Sequence, residues 1–452
     1  MTATPTMPVA CIIDTDPGVD DVLAILLALA SPDLLVLSIT LTHGNCTLAA
    51  ATANLEKLFW ALDKQLAERP DERTRWHNVD PEWRSRWGAG PIEVYLGSEG
   101  PIEGEPVTAK YFHGKDGLGD CTTRHPDLVP PPSHVSTLFT LSPKPALDGV
   151  QSLLARHAPR SIAYVALGPM TSLAYLHRAG ATDGHEGRTS PLDQFSVVLS
   201  MGGAVDHPGN TSPVAEFNYY ADPFAASVLF ALAPPNLYIF PLDLTSYLTL
   251  PFSLYISAVD PSFSDTSSPS SPQAKAPLTH FTSSFLERTR EVMLQFGSDV
   301  MEQHDPTVVY ALIDWAKARR ARAGEGAVEL GEEEDKGDEG EFAPGWAFRR
   351  VEFEVETTGS ITRGMLVRDL RASSTSSTSL TARTGLTNRA AAIEALDVEE
   401  VEAHRAEGEL NGQQAAEAHR GRSGARVVVS SPGSEPLRRD LLKSIWGVDV
   451  AE

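Results

Sequence analysis

Asp14, Asp16, Asp20 and Asp21 fall in one short stretch, Cys11-Ile12-Ile13-Asp14-Thr15-Asp16-Pro17-Gly18-Val19-Asp20-Asp21, and the apolar run 22–30 follows at once. An apolar strand that ends in four carboxylates, a Pro-Gly turn and a helix start crowds like charges around one strand end. Such charges repel unless a cation joins them. The turn is therefore expected to form the wall of a metal site. The competing reading is an Asp-rich helix N-terminus, but a cap uses one or two acids rather than four.

The elements that must position this turn are legible in the hydrophobic pattern. Strand-like runs at 10–14, 35–42, 161–167, 195–200 and 237–241 alternate with helix-like runs at 20–30, 49–62, 146–157, 171–179 and 223–231. That alternation predicts an α/β fold, a mainly parallel open sheet flanked by helices. In such sheets ligands bind outside the carboxyl ends of the strands, where most of the polar residues named below fall. Segments 67–90, 121–145, 258–277 and 321–344 read as long polar inserts outside the core, residues 372–383 as a Ser/Thr-rich stretch, and 384–424 as Ala- and Glu-rich with weak apolar faces. Residues 347–367 read as a strand pair, and 425–430 then 436–446 as strand and helix. A single domain is expected, with its core at 9–318, 346–370 and 425–449, an acidic flexible insert at 321–344 and a low-complexity helical insert at 372–424.

Composition narrows the function. The 452 residues are 42% hydrophobic and 21% charged, a globular balance, and no run reaches the roughly 18 apolar residues of a membrane span. A net charge of -23 argues against nucleic acid or an anionic membrane as partner, since both need a basic face. Part of that charge is local, with eight acids against one lysine in 329–341. Cys11, Cys46 and Cys121 are too few and too scattered for a disulfide framework, and the polar N-terminus lacks a signal-peptide pattern. A cytoplasmic address is expected.

The aspartate turn resembles the signature of the inosine-uridine preferring nucleoside hydrolases, and six further stretches match that family in order. They are Thr42-His43-Gly44-Asn45, the loop His113-Gly114-Lys115-Asp116-Gly117-Leu118-Gly119, Leu167-Gly168-Pro169-Met170-Thr171-Ser172, the segment from Met201 through Gly209-Asn210 to Glu216-Phe217-Asn218, Asp222-Pro223, and His304-Asp305-Pro306. Val19 stands where that family often has histidine and Ser172 where it often has asparagine, and neither change removes a proposed metal ligand. The resemblance implies a calcium-dependent hydrolase that converts a ribonucleoside, purine or pyrimidine, and water to ribose and free base.

It also implies roles. Asp16, Asp21 and Asp305 would give carboxylate oxygens to calcium, and Leu167 its main-chain carbonyl. The absence of a Cys or His pair at zinc spacing favours a hard cation. Asp16 is the expected base for the attacking water, and Asp14 is expected to hydrogen-bond the turn and orient the ligands. Asp20 would face a ribose hydroxyl. Asn45, Asn210, Glu216 and Asn218 would clamp the sugar, with Glu216 and Asn218 on one side of an extended segment. His304 is the candidate acid for the leaving base, its simple alternative being a packed neighbour of Asp305, and His113 is expected in the pocket wall. The partner expected is a small ribonucleoside, in a chain compatible with a homodimer or homotetramer.

Two other readings stand beside this one. A haloacid dehalogenase-like phosphatase also ends an apolar strand in Asp-x-Asp, but leaves the Asp20-Asp21 pair and the Glu216-Phe217-Asn218 segment without a job. A non-catalytic nucleoside or ribose sensor would keep the clamp and is expected to lose the base or a metal ligand, yet Asp16, Asp21 and Asp305 are all present.

Overall fold

In the computed structural model, which describes residues 7–181, 190–232, 234–324, 342–369 and 425–450, a nine-stranded sheet runs through the molecule. Its strands are β1 (Val9–Thr15), β2 (Leu34–Leu41), β3 (Ile92–Leu96), β4 (Phe139–Pro145), β5 (Ile162–Ala166), β6 (Phe195–Met201), β7 (Leu237–Phe240), β10 (Ala347–Val351) and β13 (Ala425–Ser430). The short pairs β8 (Thr249–Pro251) with β9 (Val300–Glu302), and β11 (Glu354–Val355) with β12 (Leu366–Val367), stand apart from it. The order across the sheet is β10-β13-β7-β6-β5-β1-β2-β3-β4, parallel throughout except for β10 against β13.

This order decides where a ligand can sit. The chain moves outward from β1 through β2 to β4, then returns to the other side of β1 with β5. The order in which strands are added reverses between β1 and β5, which stay parallel, and this opens a crevice at their carboxyl ends. Asp14 is level with Thr40 on one neighbour and Ala166 on the other, so the aspartate turn leaves the sheet at that crevice.

Helices cover both faces, as a parallel sheet requires. Successive β1 residues divide between two cores: Cys11 and Ile13 pack with the helix Val19–Ala30, while Ala10 and Ile12 pack with Tyr164, Phe195 and Leu229. All twelve residues of Val19–Ala30 are buried, because the helix is enclosed by the sheet on one side and by the helix His304–Gly324 on another. Among the described residues no helix is long and apolar enough to cross a membrane.

Several inserts turn out to be structural. Residues 121–145 include β4, an edge strand whose exposed, polar alternation hid it, and β3 lies just past 67–90. Within 67–90, Trp76, Asn78 and Arg84 are buried. Asn78 accepts from Val36 N and donates to the carbonyls of Ala28, Ser31 and Leu34, while Arg84 donates to those of Val36, Asn78 and Gly90. These polar side chains finish main-chain hydrogen bonding where the sheet meets the helix Val19–Ala30. Asn78→Ala should cost about 3 kcal/mol, since it strands several buried backbone groups. Urea unfolding measures this.

The expected strand pair in 347–367 is divided: β10 joins the main sheet against β13, and β11 pairs with β12. Strand then helix holds at the end of the chain, as β13 followed by Ser434–Leu441 and a turn of π-helix, Leu442–Trp446. Most of the acidic insert at 321–344 and all of the low-complexity insert at 372–424 lie outside the described residues.

Candidate metal and ligand site

The aspartate turn is shaped by its own backbone. Asp21 opens the helix Val19–Ala30 and reaches back: its Oδ1 accepts from Thr15 Oγ1 at 2.5 Å and from Asp16 N at 3.3 Å, and its Oδ2 accepts from Gly18 N at 2.9 Å. Asn45 ties the second strand end to the first, giving its amide Nδ2 to Asp21 Oδ2 (2.9 Å) and its backbone N to Asp16 Oδ2 (2.5 Å). Asp16 is thus fixed by one oxygen. Its Oδ1 is buried and, among the described residues, has no hydrogen-bond partner.

Two glycines make room for that carboxylate. A Cβ on Gly44 would stand 1.9 Å from Asp16 Oδ2, and one on Gly168 would stand 2.5 Å from Asp16 Oδ1. The conformational freedom of glycine is not needed there; its missing side chain is.

Asp305, at the start of the helix His304–Gly324, meets the turn from the opposite side, and oxygens of Asp20, Asp21 and Asp305 lie within 4.8 Å of one another. Electrostatics registers the crowding. Burial, then the charges of Asp20, Asp21 and Asp16, hold the Asp305 carboxyl well above its ordinary pKa; burial and Asp21 do the same to Asp16. Burial and Asp21 raise Asp20 to about 6. Buried carboxylates that repel one another while one oxygen has no donor are what a hard cation relieves, and every donor here is an oxygen. The residues fit a metal.

Over these carboxylates lies a cavity of about 790 Å³ whose walls include Asp20, Asn45, His113, Leu167, Asn210, Glu216, Asn218, His304 and Asp305. The structure therefore gathers all the residues singled out for sugar or base contact, with Asp16 and Asp21 buried behind them. Details differ from expectation. Glu216 and Asn218 are not on an extended segment: Glu216 caps the short helix Phe217–Ala221, accepting from the backbone N of Gly203, Asn218 and Tyr219, and Asn218 lies in its first turn. The Leu167 carbonyl already accepts Asn218 Nδ2 at 2.6 Å, which leaves one lone pair for a further partner. Asn210 Oδ1 accepts Phe217 N, so its amide nitrogen is the end left for a ligand.

Asp14 does not hydrogen-bond the turn. Its carboxyl accepts from Tyr164 of β5 (2.9 Å) and from Ser172 in the helix that follows β5 (3.2 Å), and burial raises its pKa to about 7. His113 Nδ1 accepts Val19 N at 3.2 Å, and burial lowers its pKa to about 4, so the ring is neutral. His304 is gripped at both nitrogens, by Thr245 Oγ1 at 2.8 Å and Glu302 at 3.0 Å. Burial alone would lower its pKa, but the hydrogen bond and charge of Glu302, with Asp20 and Glu216, raise it. Thr245 escaped the sequence reading because its link to His304 is spatial, and Glu302, only two residues before His304, was not singled out. His43 escaped too: both of its ring nitrogens are buried without partners among the described residues, beside Gly44 in a motif already singled out.

Comparison with known proteins gives a consistent grouping. The chain matches the model of the family described as inosine-uridine preferring nucleoside hydrolase over residues 11–68 and 83–403. Uridine nucleosidase 1 of Arabidopsis thaliana is 31% identical over 220 residues, 48% of this chain and 52% of that protein. The inosine-uridine preferring nucleoside hydrolase of Crithidia fasciculata is 30% identical over 224 residues, 50% of this chain and 57% of that protein. The chain thus spans about half the length of these curated relatives. A solved plant nucleoside hydrolase superposes with a TM-score of 0.59 at 20% identity, covering 97% of this chain and 99% of its own. A purine-preferring ribonucleoside hydrolase from Gardnerella vaginalis also gives 0.59, at 18% identity, covering 97% and 98%. At such identities the likeness is one of fold.

Proposed function

This chain belongs to the inosine-uridine preferring nucleoside hydrolase family, and on that premise we propose that it hydrolyses the N-glycosidic bond of ribonucleosides in a calcium-dependent reaction. The products are ribose and the free base. The observation that carries the reading is the gathering of Asp20, Asp21 and Asp305 oxygens within 4.8 Å of one another beside a cavity lined by Asp20 and Asp305, with the buried, unpartnered Asp16 Oδ1 in the field of Asp21 and Asp20.

Asp16, Asp21 and Asp305, with the Leu167 carbonyl, are the proposed calcium ligands. Calcium there would supply Lewis acidity and an anchor for sugar hydroxyls. Asp16 takes a proton from the attacking water while its other oxygen is held by Asn45. The water oxygen bonds to the anomeric carbon, and the electron pair of the broken bond leaves with the base. His304, clamped by Thr245 and Glu302, gives that base its proton. The sugar gains positive charge on the way, and the surrounding carboxylates stabilise it. Asp20, Asn45, Asn210, Glu216 and Asn218 bind the sugar and His113 closes its wall, with Glu216 also fixing the local backbone.

Gly44→Ala provides a local check. Its methyl would displace the Asp16 carboxylate, so turnover should fall by about 10- to 100-fold in a folded protein, as misplaced reacting groups do. The proposal as a whole is tested by reducing-sugar release from inosine, uridine, cytidine and adenosine. Ribose from at least one is expected. No ribose from any, with tight binding of the nucleoside, would favour a sensor; phosphate release from a monoester instead would favour a phosphatase.

A further inference from the structure

A second cluster of metal-binding side chains lies outside the acidic site. His125 ends the short helix Cys121–Arg124, Asp127 is in the next turn, Pro126–Leu128, and His280 is in the first turns of the long helix Pro277–Gln295. One ring nitrogen from each histidine and one Asp127 oxygen all lie within 4.8 Å of one another. Ligand atoms at about 2.0–2.2 Å from a tetrahedral ion stand roughly 3.3–3.6 Å apart, so small side-chain shifts let the three share one.

The groups are already held in place. His280 Nε2 is 2.9 Å from Asp127 Oδ2, and its Nδ1 is 3.2 Å from Ser270 Oγ. His125 Nε2 is 3.1 Å from Glu287 Oε2. Both histidines and Glu287 have side chains 2% exposed, whereas Asp127 is 47% exposed, so the cluster is buried on one side and open to entering ions on the other.

We propose that His125, Asp127 and His280 form a second metal site that takes zinc, whose preference for imidazole nitrogen separates it from the all-oxygen site at the aspartate turn. Glu287 is a positioning residue that orients the His125 ring, and water completes the shell on the Asp127 side. The ion fastens the segment that follows the His113 loop to the helix bearing Met293 of the ligand cavity.

Calorimetric titration of zinc into the full chain, stripped with chelator and then saturated with calcium, tests this. Wild type should take up one zinc, His125→Ala and His280→Ala should lose that uptake, and Asp127→Asn should bind it at least about tenfold more weakly. Because Asp127 is about half exposed and asparagine keeps an oxygen for His280 Nε2, the Asp127→Asn variant should melt like wild type without zinc, and zinc should raise the melting temperature of wild type more than that of the variant. Absence of zinc uptake by wild type, or wild-type affinity in Asp127→Asn together with uptake in both histidine variants, would overturn the proposal.

Discussion

Asp16→Asn should leave the fold intact while cutting turnover by about 10²–10⁴-fold, the range associated with a positioned general base. The replacement has almost the same shape, and its carbonyl oxygen can still accept Asn45 N, so the turn keeps its hydrogen bond. What it removes is one of several buried negative charges. Burial and the charge of Asp21 already place the Asp16 carboxyl above its ordinary pKa, which means that its ionised form is disfavoured in the folded chain. In chelator the variant should therefore melt at or above the wild-type temperature. A group kept for stability would behave in the opposite way, with lower melting temperature and unchanged rate. Kinetics and thermal melting on the same sample separate the two, and wild-type turnover would remove Asp16 from the reaction.

Asp305→Ala should weaken calcium binding by more than about 100-fold and raise KM for the nucleoside as well, because the calcium it helps hold also anchors the sugar hydroxyls in the proposed site. The helix His304–Gly324 has other anchors, including packing against the helix Val19–Ala30, so the chain should still fold. Calcium titration by calorimetry gives the comparison. Calcium affinity equal to that of wild type would take Asp305 out of the ligand set.

How much of this was legible beforehand depended on whether a signal was local. The central strands are continuous apolar runs because helices bury both their faces, and β1 to the helix Val19–Ala30 could be read residue by residue. β4 was missed at the sheet edge, where exposure dilutes the apolar pattern, whereas β3 lies one strand in and is mostly buried, but is only five residues long and carries Glu93 at its second position. The segment containing Asn78 and Arg84 looked like surface because its polar residues serve buried main-chain groups, and composition cannot distinguish that use from solvation.

The site divides along the same line. Four aspartates in one turn announce themselves, whereas the grip on His304 joins the remote Thr245 to the stretch 302–304 and exists only in the folded chain. Glu216 was misassigned to an extended segment because an acid followed by Phe-Asn does not announce a five-residue helix, yet its three backbone hydrogen bonds make it a cap as well as a cavity wall. Asp14 shows the same limit. Its partners, Tyr164 in β5 and Ser172 in the helix after it, are more than a hundred residues away along the chain.

The most direct test joins metal and chemistry in one experiment. Ribose release from a cleaved nucleoside is followed in chelator-treated protein as calcium is added back. Activity should be abolished by the chelator and return with calcium until one ion per chain is bound, with Asp305→Ala failing to recover at that level. Full ribose release in the presence of chelator would contradict a catalytic cation held by these aspartates.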